Sequence, residues 1–334
     1  MAESLTSSTL PPLRIGTRKS NLAVIQTEGI RDRLQQLAPG RTFEITALRT
    51  VGDKDQKTAL YDFGAKSLWT SELEELLVSG KVDVVVHCLK DMPTSLPPSC
   101  DLAAIPLRDD PRDALIVKSG LPYTSLATLP QGAIVGTSSV RRSAQLRRLH
   151  PHLRFANLRG NVETRLAKVD DPQSEYVCMI MSACGLERVG LAGRITQYLG
   201  SKDGGILHAV GQGALGLEIR RDDAETRELL GGLGDERSGL ACLAERALMR
   251  KLEGGCSVPI GVETEWIGGV DQRLRMRAIV VSIDGSQSVE DTIDATVQTE
   301  DEATALGLEM AARLVEAGAG AILKDINTNR PAKD

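Results

Sequence analysis

Short runs of aliphatic and β-branched residues alternate with stretches of helical periodicity through the first two-thirds of this 334-residue chain. No other feature limits the possible folds so sharply. The runs at 13–17, 43–48, 82–87, 114–117, 133–136 and 176–181 read as strands, and strands separated by helices build an α/β fold with largely parallel sheets. After the first run Ser20 is placed to cap a helix with Leu22, Ile25, Ile30 and Leu34 along one side, and Ser71 with Glu74 has capping-box spacing before Leu76 and Leu77. The stretch 51–67 is long, polar and interrupted by Gly52 and Gly64, the pattern of a mobile loop. The last hundred residues change character: a helix over 238–252 stops at Gly254-Gly255, strands at 274–283 and 289–297 flank Asp284-Gly285, and a helix over 302–317 completes a small α+β unit. A chain of this length exceeds a single core, so two or three domains are expected.

The formal net charge is −5, yet between Gly136 and Lys168 seven arginines and one lysine accompany a single acid, Glu163. Acids gather elsewhere: residues 284–309 hold eight and no base, which reads as a solvated outer face. No apolar run approaches the roughly 18 residues of a membrane span, and residues 1–12 lack both a signal core and transit-peptide arginines. A cytoplasmic protein with no membrane association is expected. The six cysteines include no C-x-x-C pair, and the four histidines no H-E-x-x-H cluster, so free thiols and no protein-ligated metal are expected. Nucleic acid is the obvious rival for a stretch of net +7. Against it, aromatics are only 3% of the chain, leaving few stacking platforms, and the arginines sit in Gly/Ser turns instead of on one basic helix.

Three segments can carry chemistry. Gly136-Thr137-Ser138-Ser139-Val140-Arg141-Arg142 follows a predicted strand and opens a predicted helix, where backbone N–H groups, the hydroxyls of Ser138 and Ser139 and two guanidinium forks make an anion site. Leu158-Arg159-Gly160-Asn161 with Arg165 repeats the device, and two such sites suit a long anionic ligand. The strand 82–87 delivers Lys90 and Asp91 to its C-terminal end, where open α/β sheets bind ligands, and the neighbouring lysine keeps Asp91 ionised to stabilise a cation or shuttle a proton. His87 and Cys88 read as packing residues. In Glu253-Gly254-Gly255-Cys256-Ser257 two glycines turn the chain and leave a thiol near the surface, although a single such cysteine is ordinarily structural.

Taken in order, Arg14 to Ser20, His87 to Pro93, Gly136 to Arg142, Arg159-Gly160-Asn161, Val210-Gly211-Gln212-Gly213-Ala214 and Glu253 to Gly261 closely resemble the porphobilinogen deaminase family, over nearly the whole chain. Phe63 to Trp69 and Asp109-Asp110-Pro111-Arg112-Asp113 extend the likeness. The resemblance implies a transferase in which Cys256 carries a dipyrromethane cofactor through a thioether. Four porphobilinogen molecules then join head to tail with loss of ammonia, and water releases hydroxymethylbilane for haem-type biosynthesis. It implies catalytic roles for Asp91, Lys90 and Arg18. Substrate contacts fall on Arg18, Ser20, Gln26, Arg141, Arg142 and Arg165. Cofactor contacts fall on Lys90, Asp91, Thr137, Ser138, Ser139, Arg141, Arg142, Arg159, Gly160, Arg188, Gln212 and Gly213.

The implied fold has two α/β domains, like those of periplasmic binding proteins, around a cleft, plus a small α+β C-terminal domain. In this chain that division reads as 1–107 with 208–229, 112–204, and 236–334, in a monomer whose partner is the small-molecule substrate. Cys88 stands where the family usually has Ser, and Ser71 where related sequences often carry Lys, so a slower enzyme of unchanged function is expected. A non-catalytic binding module remains the second reading, and would need neither Asp91 nor Cys256.

Overall fold

Two five-stranded mixed sheets and one three-stranded antiparallel sheet organise the protein in a computed structural model that describes residues 11–50, 52, 69–252, 258–268 and 273–328. In the first sheet β1 (Leu13–Arg18) lies parallel to β2 (Phe43–Leu48) and to β3 (Val84–Cys88). β4 (Cys100–Ala104) joins it through β10 (Leu215–Arg220), which is antiparallel to both β3 and β4. The second sheet runs β7 (Arg154–Ala156), β6 (Ile134–Gly136), β8 (Tyr176–Ser182), β5 (Asp113–Val117), β9 (Gln197–Leu199), with β6 parallel to β7 and β8, and β5 antiparallel to β8 and β9.

The expectation of largely parallel sheets is therefore corrected: half the pairings in each are antiparallel. The reason is topological. The chain leaves the first sheet after β4, enters the second at β5, and returns to the first at β10, and a strand arriving from the other sheet runs against strands supplied by local βαβ crossovers.

Local chemistry sets the helices on these sheets. α1 (Asn21–Leu37) starts where the Ser20 hydroxyl accepts from the Ala23 N–H at 3.4 Å, and it buries Ile30 and Leu34 against Leu13, Ile15, Val84 and Val86. Leu22, in the first turn, packs instead against the core of the second sheet, so the start of α1 already spans the gap. α2 (Ser71–Val78) buries Leu73 and Leu77 on Val82 and Val85, but the expected capping box does not form. Thr70 occupies the cap position, Ser71 turns to Glu72, and the periodicity that buries Leu73 and Leu77 carries Glu74 into the interior with them. The second sheet carries α3 (Val140–Leu149), α4 (Val162–Asp170) and α5 (Ala183–Arg188), and α6 (Ala224–Gly231) returns onto the first.

The third sheet is a meander of β11 (Ile260–Ile267), β12 (Arg273–Val281) and β13 (Ser288–Thr296), covered by α7 (Glu236–Lys251), α8 (Glu300–Glu316) and α9 (Ala319–Thr328) around one apolar cluster. Gly307 faces Ala244 and Ala247, so α7 and α8 approach more closely than any side chain at that position would allow. Sequence patterns anticipated the central strand β12 and the edge strand β13, but not the other edge strand β11 or α9. The acids expected on an outer face are indeed at the surface, several of them paired, as in Asp294–Arg275 and Glu309–Arg313. The stretch expected to form a mobile loop lies, apart from Gly52, outside the described residues, as does Cys256.

Candidate active site

Strand ends of the first and second sheets converge on a cavity of about 280 Å³. From the first sheet, the end of β1 supplies Arg18 and Ser20, α1 supplies Gln26, and a 3₁₀ turn after β3 supplies Lys90 and Asp91. The second sheet contributes Ser138, Ser139, Arg141 and Arg142 at the start of α3, Arg159 and Gly160 before α4, Arg165 within it, and Arg188 at the end of α5. Gln212 and Gly213 come from the returning crossover. Of the described site residues expected from sequence, only Thr137 is off the wall; its hydroxyl accepts from the Ser139 N–H at 3.2 Å and shapes the start of α3.

The acidic corner is small. Asp91 lies 3.9 Å from the Arg18 guanidinium, which stacks 4.0 Å above the Trp69 ring. Lys90 Nζ donates to Gln212 Oε1 at 3.4 Å. The Cys88 thiol lies 3.4 Å from the Gln26 amide, and burial, reinforced by Asp91, pushes its pKa up. That thiol is a poor nucleophile.

The basic wall divides into two kinds of arginine. Arg141 and Arg142 are almost fully buried, and both bind Asp113, the first residue of β5. Burial alone would raise the Asp113 carboxyl; the two guanidinium groups overcome it and hold it well below the ordinary range. Arg188 pairs with Asp109 at 2.7 Å and donates to the Gly213 carbonyl at 2.6 Å. Gly213 has φ +88°, and a Cβ there would meet the Asp109 carbonyl at 2.5 Å, so only glycine lets the two crossovers touch. Arg165 differs. Its Nε donates to the Gly160 carbonyl at 2.7 Å, and it forms no ion pair among the described residues. Burial, with Arg142 and Arg159 adding repulsion, lowers its pKa to about 10. It therefore remains charged at neutral pH, a partly buried cation in need of an anion.

The sequence cluster was broader than the site. Arg147 donates to the Ile283 carbonyl and Arg148 to Glu290, fastening α3 to the β12–β13 hairpin, while Arg154 is exposed on the edge strand β7. Asp113 had no role in that reading beyond membership of a motif, although an acid heading the apolar run Ala-Leu-Ile-Val was its available signal. Arg108 and Glu245 gave none. They form a buried bidentate pair at 2.7 and 3.1 Å, to which the Gly211 N–H and the Thr264 hydroxyl also donate, joining both crossovers to α7. Among the described residues no group of three or more His, Cys, Asp and Glu could hold a metal, and no helix is long and apolar enough to cross a membrane.

An acid beside a lysine on one sheet and a wall of arginines on another suit an α/β protein that holds an anionic ligand between its sheets. Residues 13–228 match the family model "Porphobilinogen deaminase, dipyromethane cofactor binding domain", and residues 239–316 match "Porphobilinogen deaminase, C-terminal domain". The chain belongs to the porphobilinogen deaminase family. It is 50% identical over 325 residues to the porphobilinogen deaminase of Yarrowia lipolytica, covering 96% of this chain and 95% of that one. To the Saccharomyces cerevisiae enzyme it is 47% identical over 323 residues, covering 95% and 98%. Among solved structures, the periplasmic aliphatic sulphonate binding protein SsuA from Escherichia coli is similar at a TM-score of 0.39 and 16% identity over 73% of this chain and 75% of that one, too loosely to bear on function. The function is that of the family, in tetrapyrrole biosynthesis, with a dipyrromethane cofactor. The wall suits such a group: Arg165 has charge to give, and the hydroxyls of Ser138 and Ser139 add donors for carboxylates.

Proposed function

We propose that the chain is a cytoplasmic, monomeric transferase that joins four porphobilinogen molecules head to tail on a dipyrromethane held by Cys256, and then releases hydroxymethylbilane to water. The observation that carries this reading is the placement of Lys90 and Asp91 opposite four cavity-lining arginines of the 136–168 stretch. When bound, the cofactor supplies the pyrrole carbon to which the first substrate is joined. Asp91, beside Arg18, accepts pyrrole N–H hydrogen bonds and stabilises the cation left when the substrate loses ammonia. Lys90, oriented by Gln212, adds charge for a substrate carboxylate. Arg165 and the outward donors of Arg141, Arg142, Arg159 and Arg188 hold acetate and propionate groups, each charge-assisted bond contributing about 1.5–3 kcal/mol. Val258 and Ile260, which follow Cys256 in sequence, line the same cavity. The sheet topology supports a division into 1–107 with 208–229, 112–204, and 236–334, since β10 completes the first sheet.

Intact mass tests the assignment. The wild-type chain is expected to be heavier than its polypeptide by one dipyrromethane, and Cys256→Ala to lose that excess. Asp91→Asn is expected to keep it while elongation stalls. An active wild-type chain at bare polypeptide mass would remove Cys256 from its role, and near-normal turnover in Asp91→Asn would remove Asp91.

A further inference from the structure

Asp113 does not line the cavity, yet three of the groups it binds do. It is fully buried and accepts four hydrogen bonds: from Arg141 Nη1 at 2.7 Å, from Arg142 Nε at 3.0 Å and Nη2 at 2.7 Å, and from Gln212 Nε2 at 2.9 Å. Two adjacent guanidinium groups repel each other and, without a counter-charge, would hold no fixed direction in a low-dielectric wall. Asp113 reduces the pair from +2 to +1 and fixes both forks. Their remaining bonds go to the backbone, Arg141 to the Leu207 carbonyl and Arg142 to the Ile180 carbonyl. About half of the ten N–H donors of the pair are thereby used, and the rest stay available to a ligand.

The fourth bond extends the array to the other sheet. Gln212 Nε2 donates to both Asp113 and the Pro111 carbonyl, two acceptors that together dictate which way the amide faces, so Oε1 must point to Lys90. The continuous path Arg142–Asp113–Gln212–Lys90 crosses from the second sheet to the first, and both of its inner members lie on crossovers: Asp113 where the chain enters the second sheet, Gln212 where it returns.

We propose that Asp113 is a positioning residue for the reaction: it aims the arginine pair at substrate carboxylates and, through Gln212, fixes Lys90 beside Asp91. This rests on the roles proposed above for Arg141, Arg142 and Lys90. Carboxylate capture on one sheet and the geometry of the Lys-Asp turn on the other then share one buried charge.

The test uses loaded enzyme and steady-state kinetics with porphobilinogen. Asp113→Asn, which keeps size but not charge, is expected to raise KM by about tenfold or more, the scale of one lost charge-assisted contact. Gln212→Leu leaves the arginine–aspartate pairs intact and is expected to lower kcat about tenfold while raising KM less than Asp113→Asn does, because only Lys90 and its one carboxylate contact are released. The double variant is expected to lose no more in kcat than Gln212→Leu alone, since Asp113 reaches Lys90 only through Gln212. Losses in kcat that multiply in the double variant, or full kcat in Gln212→Leu, would overturn the proposal. If Asp113→Asn does not fold, the kcat of Gln212→Leu decides alone. A wild-type chain without bound dipyrromethane, or an unchanged KM in Arg142→Met, would instead sink the site reading on which this depends.

Discussion

Replacing Arg165 by methionine is expected to make the cofactor-free protein more stable and the enzyme worse. The fall of the Arg165 pKa from its ordinary value to about 10 corresponds to about 3 kcal/mol against the charged form in the folded state. Its side chain remains partly open to the cavity, so about half of that is retained after solvent screening. The bond to the Gly160 carbonyl offsets a further ~1 kcal/mol, which leaves a net gain on replacement of somewhat under about 1 kcal/mol. The sign follows from linkage: a base whose folded pKa is depressed is penalised at every pH below about 10, and the penalty lifts as pH rises through that value. Thermal unfolding at neutral pH in a Cys256→Ala background, which lacks the attachment thiol, is expected to show a small rise in Tm for Arg165→Met. In the loaded enzyme, where carboxylates supply the missing counter-charge, the same substitution is expected to lower Tm and to raise KM for porphobilinogen about tenfold. A fall in Tm without cofactor, together with an unchanged KM, would show that Arg165 is an ordinary structural arginine and would refute the argument.

Glu74, buried beside His87 and Glu218, has its carboxyl pushed up first by burial and then by Glu218, with the nearby Thr70 hydroxyl opposing. The folded protein therefore keeps a proton that the unfolded chain releases, so stability declines as pH rises from the ordinary glutamate range through the raised value. Glu74→Gln is expected to remove that decline, raising Tm more at pH 8 than at pH 5; an equal effect at both would count against a perturbed acid. At Gly52 a Cβ would overlap the Trp69 ring, so Gly52→Ala is expected to push the indole off Arg18, changing tryptophan fluorescence and raising KM about threefold or more. Unaltered fluorescence would exclude that packing. Cys88→Ser replaces a weak donor beside Gln26 with a stronger one and is expected to raise turnover about two- to fivefold, and equal turnover and substrate affinity in the two proteins would dismiss the thiol as a handicap.

What the sequence disclosed follows a physical division. Strands that alternate with helices and carry their own apolar runs were legible because their signal is local: Leu13 to Arg18 and Phe43 to Leu48 need no partner to be read. β10 was not, since residues 215–220 become the middle of a sheet only by pairing with strands from far upstream. The same holds for charges. Arg141, Arg159 and Arg165 sit at helix starts and glycine turns, where local geometry announces an anion site, and all three line the cavity. Arg147 and Arg148 lie in the same basic run but nearly two turns further along α3, on a side that meets the β12–β13 hairpin, and counting could not separate them. Asp113 and Glu245 were hidden for the opposite reason. Glu245 is a lone acid in an apolar stretch and Asp113 closes the acidic run that starts at Asp109, and the meaning of each lies in arginines that the fold brings to it.

The joints between the three sheets differ in kind. α7 carries adjacent residues that both reach the first sheet's side of the cleft: Glu245 takes the buried pair from Arg108, and Arg246 donates to the carbonyls of Met92 and Pro93, directly after Asp91. Breaking a buried pair of that kind costs about 3–5 kcal/mol. Between the third sheet and the second, Arg148–Glu290 is exposed at 3.4 Å and Lys202–Glu265 lies at 2.9 Å, and pairs of that kind contribute at most about 1 kcal/mol each. Beside them the Ser201 hydroxyl donates to Glu263 at 2.6 Å, Arg147 donates to the Ile283 carbonyl at 2.8 Å, and Ala144, Leu207, Ile279 and Val281 form an apolar cluster. The third sheet is therefore fastened to the turn bearing Lys90 and Asp91 by one charge pair taken out of water, and to the second sheet by contacts that are more numerous and individually more open to solvent.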